Sequence, residues 1–192
     1  MSVRILTGRL KGRRIYVPRG QDIRPTSERT REALFDILAH GTPRLVGCRF
    51  LDLFAGTGAV GIEAWSRGAA EVVLVELERT ARAVIERNLR TLDLPDTVRL
   101  LVADATNLGA CPRPFDIVFL DPPWRSGQAR PALERALAGG WIAPEARVIV
   151  ELAAKEPFAP PLGLEIVDER RYGLARLVFL RPTLRPQTGP VP

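Results

Sequence analysis

The 192-residue sequence predicts an α/β fold built on a mostly parallel sheet that is covered on both faces. Three observations carry that expectation. From residue 50 onward, short and nearly continuous apolar runs alternate with segments of helical period, the pattern of strands buried on both sides. The first run, Phe50-Leu51-Asp52-Leu53-Phe54, ends in the turn Ala55-Gly56-Thr57-Gly58 and opens directly into a helical pattern, as at the mouth of a nucleotide-type pocket. The end of the chain differs. Two β runs, 164–167 and 175–180, flank Tyr172-Gly173 with no helix-length insert, so an antiparallel hairpin should close the sheet edge.

In chain order, residues 3–6 and 14–17 read as two short strands around the Gly8 and Gly12 turn region, a small basic hairpin. Pro18 and Gly20 break it. Residues 28–39 carry Ala33, Leu34, Ile37 and Leu38 at helical spacing, with Thr26 or Ser27 as a candidate cap. After the central strand and its glycine turn come a helix over 59–67 and a strand over 71–76. A longer helix follows over 79–92, then a strand over 98–102 and a short turn or helix over 105–109. The strand 115–120, a helix over 129–138 and a strand over 147–152 complete the alternation. The whole reads as seven strands, a basic N-terminal extension (1–46), a main domain (47–181) and a proline-rich tail (182–192) expected to be disordered.

Composition narrows the function. No apolar run approaches the ~20 residues of a membrane span, and the N-terminus has no apolar signal region. A cytoplasmic protein with no membrane partner is expected. Cys48 and Cys111 are too few for a disulfide scaffold or a zinc site, and the single histidine, His40, removes most metal and Ser-His-Asp schemes. No metal is expected. The charge is concentrated: residues 1–49 hold eleven Arg/Lys against four Asp/Glu, while the rest is nearly balanced. A basic excess confined to one segment suits a phosphate-rich partner better than a merely solvated face.

Gly56-Thr57-Gly58-Ala59-Val60-Gly61 fits G-x-G-x-x-G, and Glu76 follows Gly56 by twenty residues, where a strand-end carboxylate can accept ribose hydroxyls. Asp52, inside the strand before the turn, would repel a phosphate but favour the cationic amino and sulfonium groups of S-adenosyl-L-methionine. Asp104, after the next strand, could accept from an adenine amino group or cap a helix. The decisive element is Asp121-Pro122-Pro123-Trp124, placed where a parallel strand ends. A carboxylate and a proline carbonyl form two acceptors, followed by an aromatic face for stacking. Acceptors on both N–H groups of an exocyclic amine make its nitrogen more tetrahedral and stabilise the charge that develops during methyl transfer.

These motifs resemble the class I S-adenosylmethionine-dependent methyltransferases that act on exocyclic amines, which implies a Rossmann-like fold. The segments Arg4-Ile5-Leu6-Thr7-Gly8 and Ile23-Arg24-Pro25-Thr26, with Arg31-Glu32-Ala33-Leu34-Phe35, narrow the resemblance to the bacterial 16S ribosomal RNA guanine-N2 methyltransferases. The Phe54–Ala64 stretch (54–64) and Gly140-Trp141-Ile142 match as well. The resemblance runs from about residue 3 to 181. One departure is Trp124, where that family more often has phenylalanine; both stack, so pocket size is what changes.

The resemblance implies that Asp52, Ala55, Gly56, Gly58, Glu76 and Asp104 hold the cofactor, with Phe54, Thr57, Leu77 and Ala105 beside them. Asp121 and Pro122 would orient the guanine N2 and Trp124 would stack on the base. No strongly tuned general base is needed, because the methylated amine can lose its proton to Asp121 or water. The target base must leave its stack to reach such a pocket. Arg9, Lys11, Arg13 and Arg14, with Arg24, Thr26, Arg29 and Arg31, would hold RNA, although Arg24 and Thr26 could instead close over the cofactor. The implied partner is 16S rRNA in the small subunit or an assembly intermediate, approached by a monomer. The alternatives are an adenine-N6 DNA or glutamine methyltransferase sharing the site, a nicotinamide oxidoreductase fitting the glycine motif alone, and a non-catalytic RNA-binding protein. Asp at 121 and the N-terminal motif oppose the first, and Asp52 opposes the second. An intact glycine turn beside an intact D-P-P-W opposes the third.

Overall fold

The computed structural model describes residues 2–18 and 28–183. Two short strands, β1 (Ser2–Arg4) and β2 (Arg14–Tyr16), form an antiparallel ribbon of their own. Seven more strands build one sheet: β3 (Arg49–Leu53), β4 (Glu71–Glu76), β5 (Val98–Val102), β6 (Phe115–Leu120), β7 (Ile142–Ala153), β8 (Leu164–Tyr172) and β9 (Ala175–Pro182). Their order is β5-β4-β3-β6-β7-β9-β8. The first five are parallel neighbours, and β9 pairs antiparallel with both β7 and β8. The expected fold class is the observed one. Among the described residues no helix is long and apolar enough to cross a membrane.

The helices α1 (Glu28–Ala39), α2 (Ala59–Ser66), α3 (Arg79–Thr91) and α4 (Ala129–Ala138) cover the two faces. Alternation along each strand sorts the core. Leu51, Val73, Val118 and Val148 point to the face covered by Ala132, Leu133 and Ala136 of α4. Phe50, Val72, Ile117 and Ile149 point to the other, under Leu34, Phe35 and Leu38 of α1 and Ala64 of α2. α1 therefore shares the sheet's own core. The β1–β2 ribbon packs separately, with Ile5, Leu10 and Ile15 against Ile62 of α2 and Leu92 after α3.

Ribbon and α2 meet closely. A Cβ on Gly8 would lie 1.8 Å from the Ser66 carbonyl oxygen, which accepts the Arg9 N–H at 2.8 Å. Gly61, inside α2, plays the same part toward the sheet: a Cβ there would sit 2.3 Å from Leu74 Cδ2 and 2.9 Å from Val72 Cγ1. Gly61→Ala is expected to cost about 1–3 kcal/mol by overpacking, against about 1 kcal/mol gained in helix propensity. Urea denaturation should show a lower midpoint at an unchanged m-value. A raised midpoint would mean that α2 can lift off the sheet at no cost.

The strand order reverses between β3 and β6, each of which ends at one side of a crevice. Ligands of open α/β sheets bind at such a switch point, outside the carboxyl ends of the strands.

Candidate active site

At the end of β3 the chain turns through Phe54 and Gly56, with φ of 61° and 56°, and Gly58, with φ of 77°, caps α2. A left-handed conformation costs Phe54 roughly 1–2 kcal/mol, held by an Ala55 N–H bond to the Val75 carbonyl at 3.0 Å and a Gly58 N–H bond to the Ala55 carbonyl at 2.7 Å. Across β4, Glu76 fixes the turn. Its Oε2 accepts from the Gly56 N–H at 2.9 Å, and its Oε1 accepts from the Leu77 and Glu78 N–H groups, both at 2.8 Å. The carboxylate expected to meet ribose hydroxyls thus also holds the loop.

Asp52 is buried beneath this turn, and its Oδ2 accepts the Gly61 N–H at 2.9 Å. Burial is the main reason its pKa is pushed up to about 7; the nearby Glu76 charge adds to it and the Gly61 bond opposes it. Folding raises this pKa above its ordinary value, so the folded state keeps the proton longer than the unfolded chain. The stability this group contributes is full below about pH 4 and is lost as pH rises through about 7.

Two adjoining cavities occupy the crevice, of about 370 Å³ and 390 Å³. Phe54, Glu76, Glu78 and Pro123 border both. The first takes in Asp52, Ala55, Gly56 and Thr57 on one side and Asp121, Pro122 and Trp124 on the other. The second is lined by Leu77, Asp104 and Ala105. Gly58 shapes the turn but lines neither. Asp104 caps the 3-10 turn Ala105–Asn107, its Oδ1 accepting from the Thr106 N–H at 2.8 Å and hydroxyl at 2.7 Å. Of its two expected roles, the cap is the one with hydrogen bonds.

Leu53 and Leu120 are partners in the β3–β6 register, and the Asp121 N–H reaches the Leu53 carbonyl at 3.3 Å. This ties the D-P-P-W turn to the glycine turn. Pro122 is buried and Trp124 half-buried at the cavity wall. Trp141, the other aromatic of a matching motif, is a core residue: it stacks on Phe115 and donates to the Gly109 carbonyl at 2.7 Å.

Arg9, Lys11, Arg13, Arg14 and Arg29 are exposed. Arg24 and Thr26 lie outside the described residues, as do the candidate caps and most of the expected tail. Arg31 requires a correction. It is fully buried, donates to the Arg4 carbonyl at 2.6 Å and faces Glu63 at 3.8 Å. Burial pulls its pKa down, with Glu63 opposing. A guanidinium enclosed this way braces the ribbon and cannot meet a phosphate.

Several residues escaped the sequence reading. Glu63 is buried in α2 and accepts from the Leu6 N–H at 2.9 Å, the Thr7 N–H at 3.1 Å and Arg67 at 2.8 Å. Asn88, buried in α3, takes the Tyr16 N–H at 2.8 Å and donates to the Tyr16 and Thr57 carbonyls at 3.1 and 3.0 Å, so ribbon and glycine turn share one side chain. Arg79, Arg87 and Arg90 lie on the exposed face of α3, with Arg87 over the Tyr16 ring, 3.8 Å from its centroid. Arg87 thus lies beside the ribbon, Arg90 faces Glu86 at 4.0 Å, and Ala81 near the start of α3 lines the first cavity. Glu151 of β7 is buried and lines the first cavity. The arginine spacing on α3 was visible in the sequence; Glu151 was not marked by any motif.

The family model described as "Conserved hypothetical protein 95" matches residues 3–181. The chain is 39% identical over 151 residues to "Ribosomal RNA small subunit methyltransferase D" of Escherichia coli strain K12, covering 78% of this chain and 74% of that one. It is 33% identical over 178 residues to the Haemophilus influenzae protein of the same name, covering 90% of each. Among solved structures it is similar to "Putative methyltransferase yhhF" from Escherichia coli, with a TM-score of 0.82 and 33% identity over 96% of this chain and 100% of that one.

Proposed function

From the premise that the chain belongs to the "Conserved hypothetical protein 95" family, we propose that it transfers a methyl group from S-adenosyl-L-methionine to the N2 amine of a guanine in 16S rRNA. One observation carries this reading. The described side chains lining the first cavity include the carboxylates of Asp52, Glu76, Glu78, Asp121 and Glu151, and among the described residues no Arg, Lys or His lines it. A dinucleotide would bring its phosphates into that acidic field; a cationic sulfonium and an amine donor suit it. The names of the E. coli and H. influenzae relatives support rRNA of the small subunit as the substrate.

Bound S-adenosyl-L-methionine would supply an electrophilic methyl group on a positively charged sulfur. Asp52 and the glycine turn would hold the amino-acid end, Glu76 the ribose, and Leu77, Asp104 and Ala105 the base. Asp121 and the Pro122 carbonyl accept the two N2–H bonds, and Trp124 stacks on the guanine. Asp121 or water takes the proton released after transfer. The exposed ribbon arginines and the α3 stripe grip the backbone around a flipped base. The reading includes a cytoplasmic monomer acting on the subunit or its assembly intermediate.

If ionised Asp52 meets the cationic cofactor, affinity must follow its titration. The Kd should tighten as pH rises toward about 7, by up to tenfold per unit, and then level off. Asp52→Asn should flatten that profile. Wild-type binding independent of pH in this range would remove Asp52 from the cofactor site. The reading as a whole is tested by labelled methyl transfer to undermethylated small subunits, with duplex DNA and a glutamine peptide as competing acceptors. Labelling of the subunits alone supports it, and preferential labelling of DNA or peptide overturns it.

A further inference from the structure

We propose that Glu151 reads the Watson–Crick edge of the target base and makes the site selective for guanine. This deepens the function proposed above and rests on it. β6 and β7 run parallel with Leu120 opposite Val150, so Asp121 and Glu151 are the next residues along two neighbouring strands. Both line the cavity that holds Pro122 and Trp124, whereas the cavity around Asp104 does not include Glu151.

Its surroundings make the residue stand out. Val148, Ile149, Val150 and Leu152 are all buried apolar side chains, and Glu151 between them is 4% exposed. A carboxylate is costly to desolvate, so its presence in such a strand points to a polar role, where packing alone would be served by a Leu or Met. Its position beside Asp121 supplies another role. Two carboxylates and the Pro122 carbonyl form a wall of acceptors, and the complementary ligand edge is made of donors.

Guanine has that edge: N1–H beside the two N2–H bonds. Asp121 and Pro122 take the amine hydrogens, and Glu151 takes N1–H. Adenine offers a lone pair at N1, which a carboxylate repels. 2-Aminopurine separates the two contributions, because it keeps the 2-amino group and also has a bare N1. Discrimination against it therefore reports on Glu151 and not on the D-P-P-W turn. A site built to hydrogen-bond a donor rejects analogues that lack it far more strongly than a hydrophobic pocket rejects a missing methylene.

The test compares small subunits reconstituted with guanine or 2-aminopurine at the methylated position. For the wild type, kcat/KM should fall about 10³-fold with 2-aminopurine. In Glu151→Gln the amide N–H can serve the N1 lone pair, so the ratio should narrow to about tenfold or less, with the cofactor Kd unchanged. A structural role would lower both substrates together, and that result would overturn the assignment. So would wild-type enzyme that uses both bases equally, which decides the matter even if the variant fails to fold. Absence of wild-type transfer to guanine is a different failure: it would overturn the parent function and this assignment with it.

Discussion

Asp121→Ala is expected to lower kcat by about 10²–10³-fold while leaving the S-adenosyl-L-methionine Kd within a few-fold. The amine of guanine is a poor nucleophile because its lone pair is delocalised into the ring. An acceptor fixed on its N–H bond gains strength as positive charge develops on nitrogen, so its contribution belongs to the transition state more than to the ground state. Asp121 is well placed for this. It follows β6 at the switch point, its N–H is bonded to the Leu53 carbonyl, and it lines the cavity opposite the glycine turn. Asp121→Asn should fall between wild type and alanine, since an amide oxygen accepts without a full charge. Single-turnover kinetics separate the chemical step from binding. A large rise in cofactor Kd with an unchanged kcat would make Asp121 a cofactor residue.

Neutralising Arg9, Lys11, Arg13 and Arg14 together should weaken RNA binding by roughly 10³-fold near 0.1 M salt and flatten the slope of log K against log salt by about three. All four side chains are exposed on a ribbon docked against α2 and α3. The dock is firm: Glu63 of α2, Asn88 of α3 and buried Arg31 of α1 each tie the ribbon's backbone to a helix. Charges held this way act as a fixed surface and do not pay the ordering cost of a loose tail. The effect should be nearly uniform across RNA sequences, because phosphate contacts position without specifying. An unchanged salt slope would move the RNA surface off the ribbon. Neutralising Arg79, Arg87 and Arg90 then tests whether the α3 stripe carries it.

Most strands were legible because each is a short apolar run bounded by turn residues, and burial on both faces requires that pattern. Where the pattern weakens, boundaries moved. β7 starts at Ile142 and not at 147, because Pro144 and Glu145 mask an irregular stretch where its register against β6 shifts between Phe115 and Ile117. β8 runs on through Asp168, Glu169, Arg170 and Arg171, past the end of the apolar run at 167. It is an edge strand, and charged side chains there blunt unwanted pairing.

The glycine turn, Glu76 and the D-P-P-W segment were visible as local motifs because each packs its chemistry into consecutive residues. Arg31 and Glu151 were not, since their roles depend on what lies across the fold. Arg31 continues the buried face of α1, and its partners are Glu63 of α2 and the Arg4 carbonyl of the ribbon, both distant in sequence. Glu151 looks like a strand-end charge until β6 is placed beside it. Linear spacing carries no information about either neighbour.

On the proposed function, the crevice between β3 and β6 methylates the 2-amino group of guanine. Nucleoside analysis of small subunits after transfer from methyl-labelled S-adenosyl-L-methionine tests this most directly. Label in N2-methylguanosine at a single position is the expected result. Label in N6-methyladenosine, or in a ring nitrogen of guanine, would contradict it, because the acceptors of Asp121 and Pro122 would then be holding a different donor.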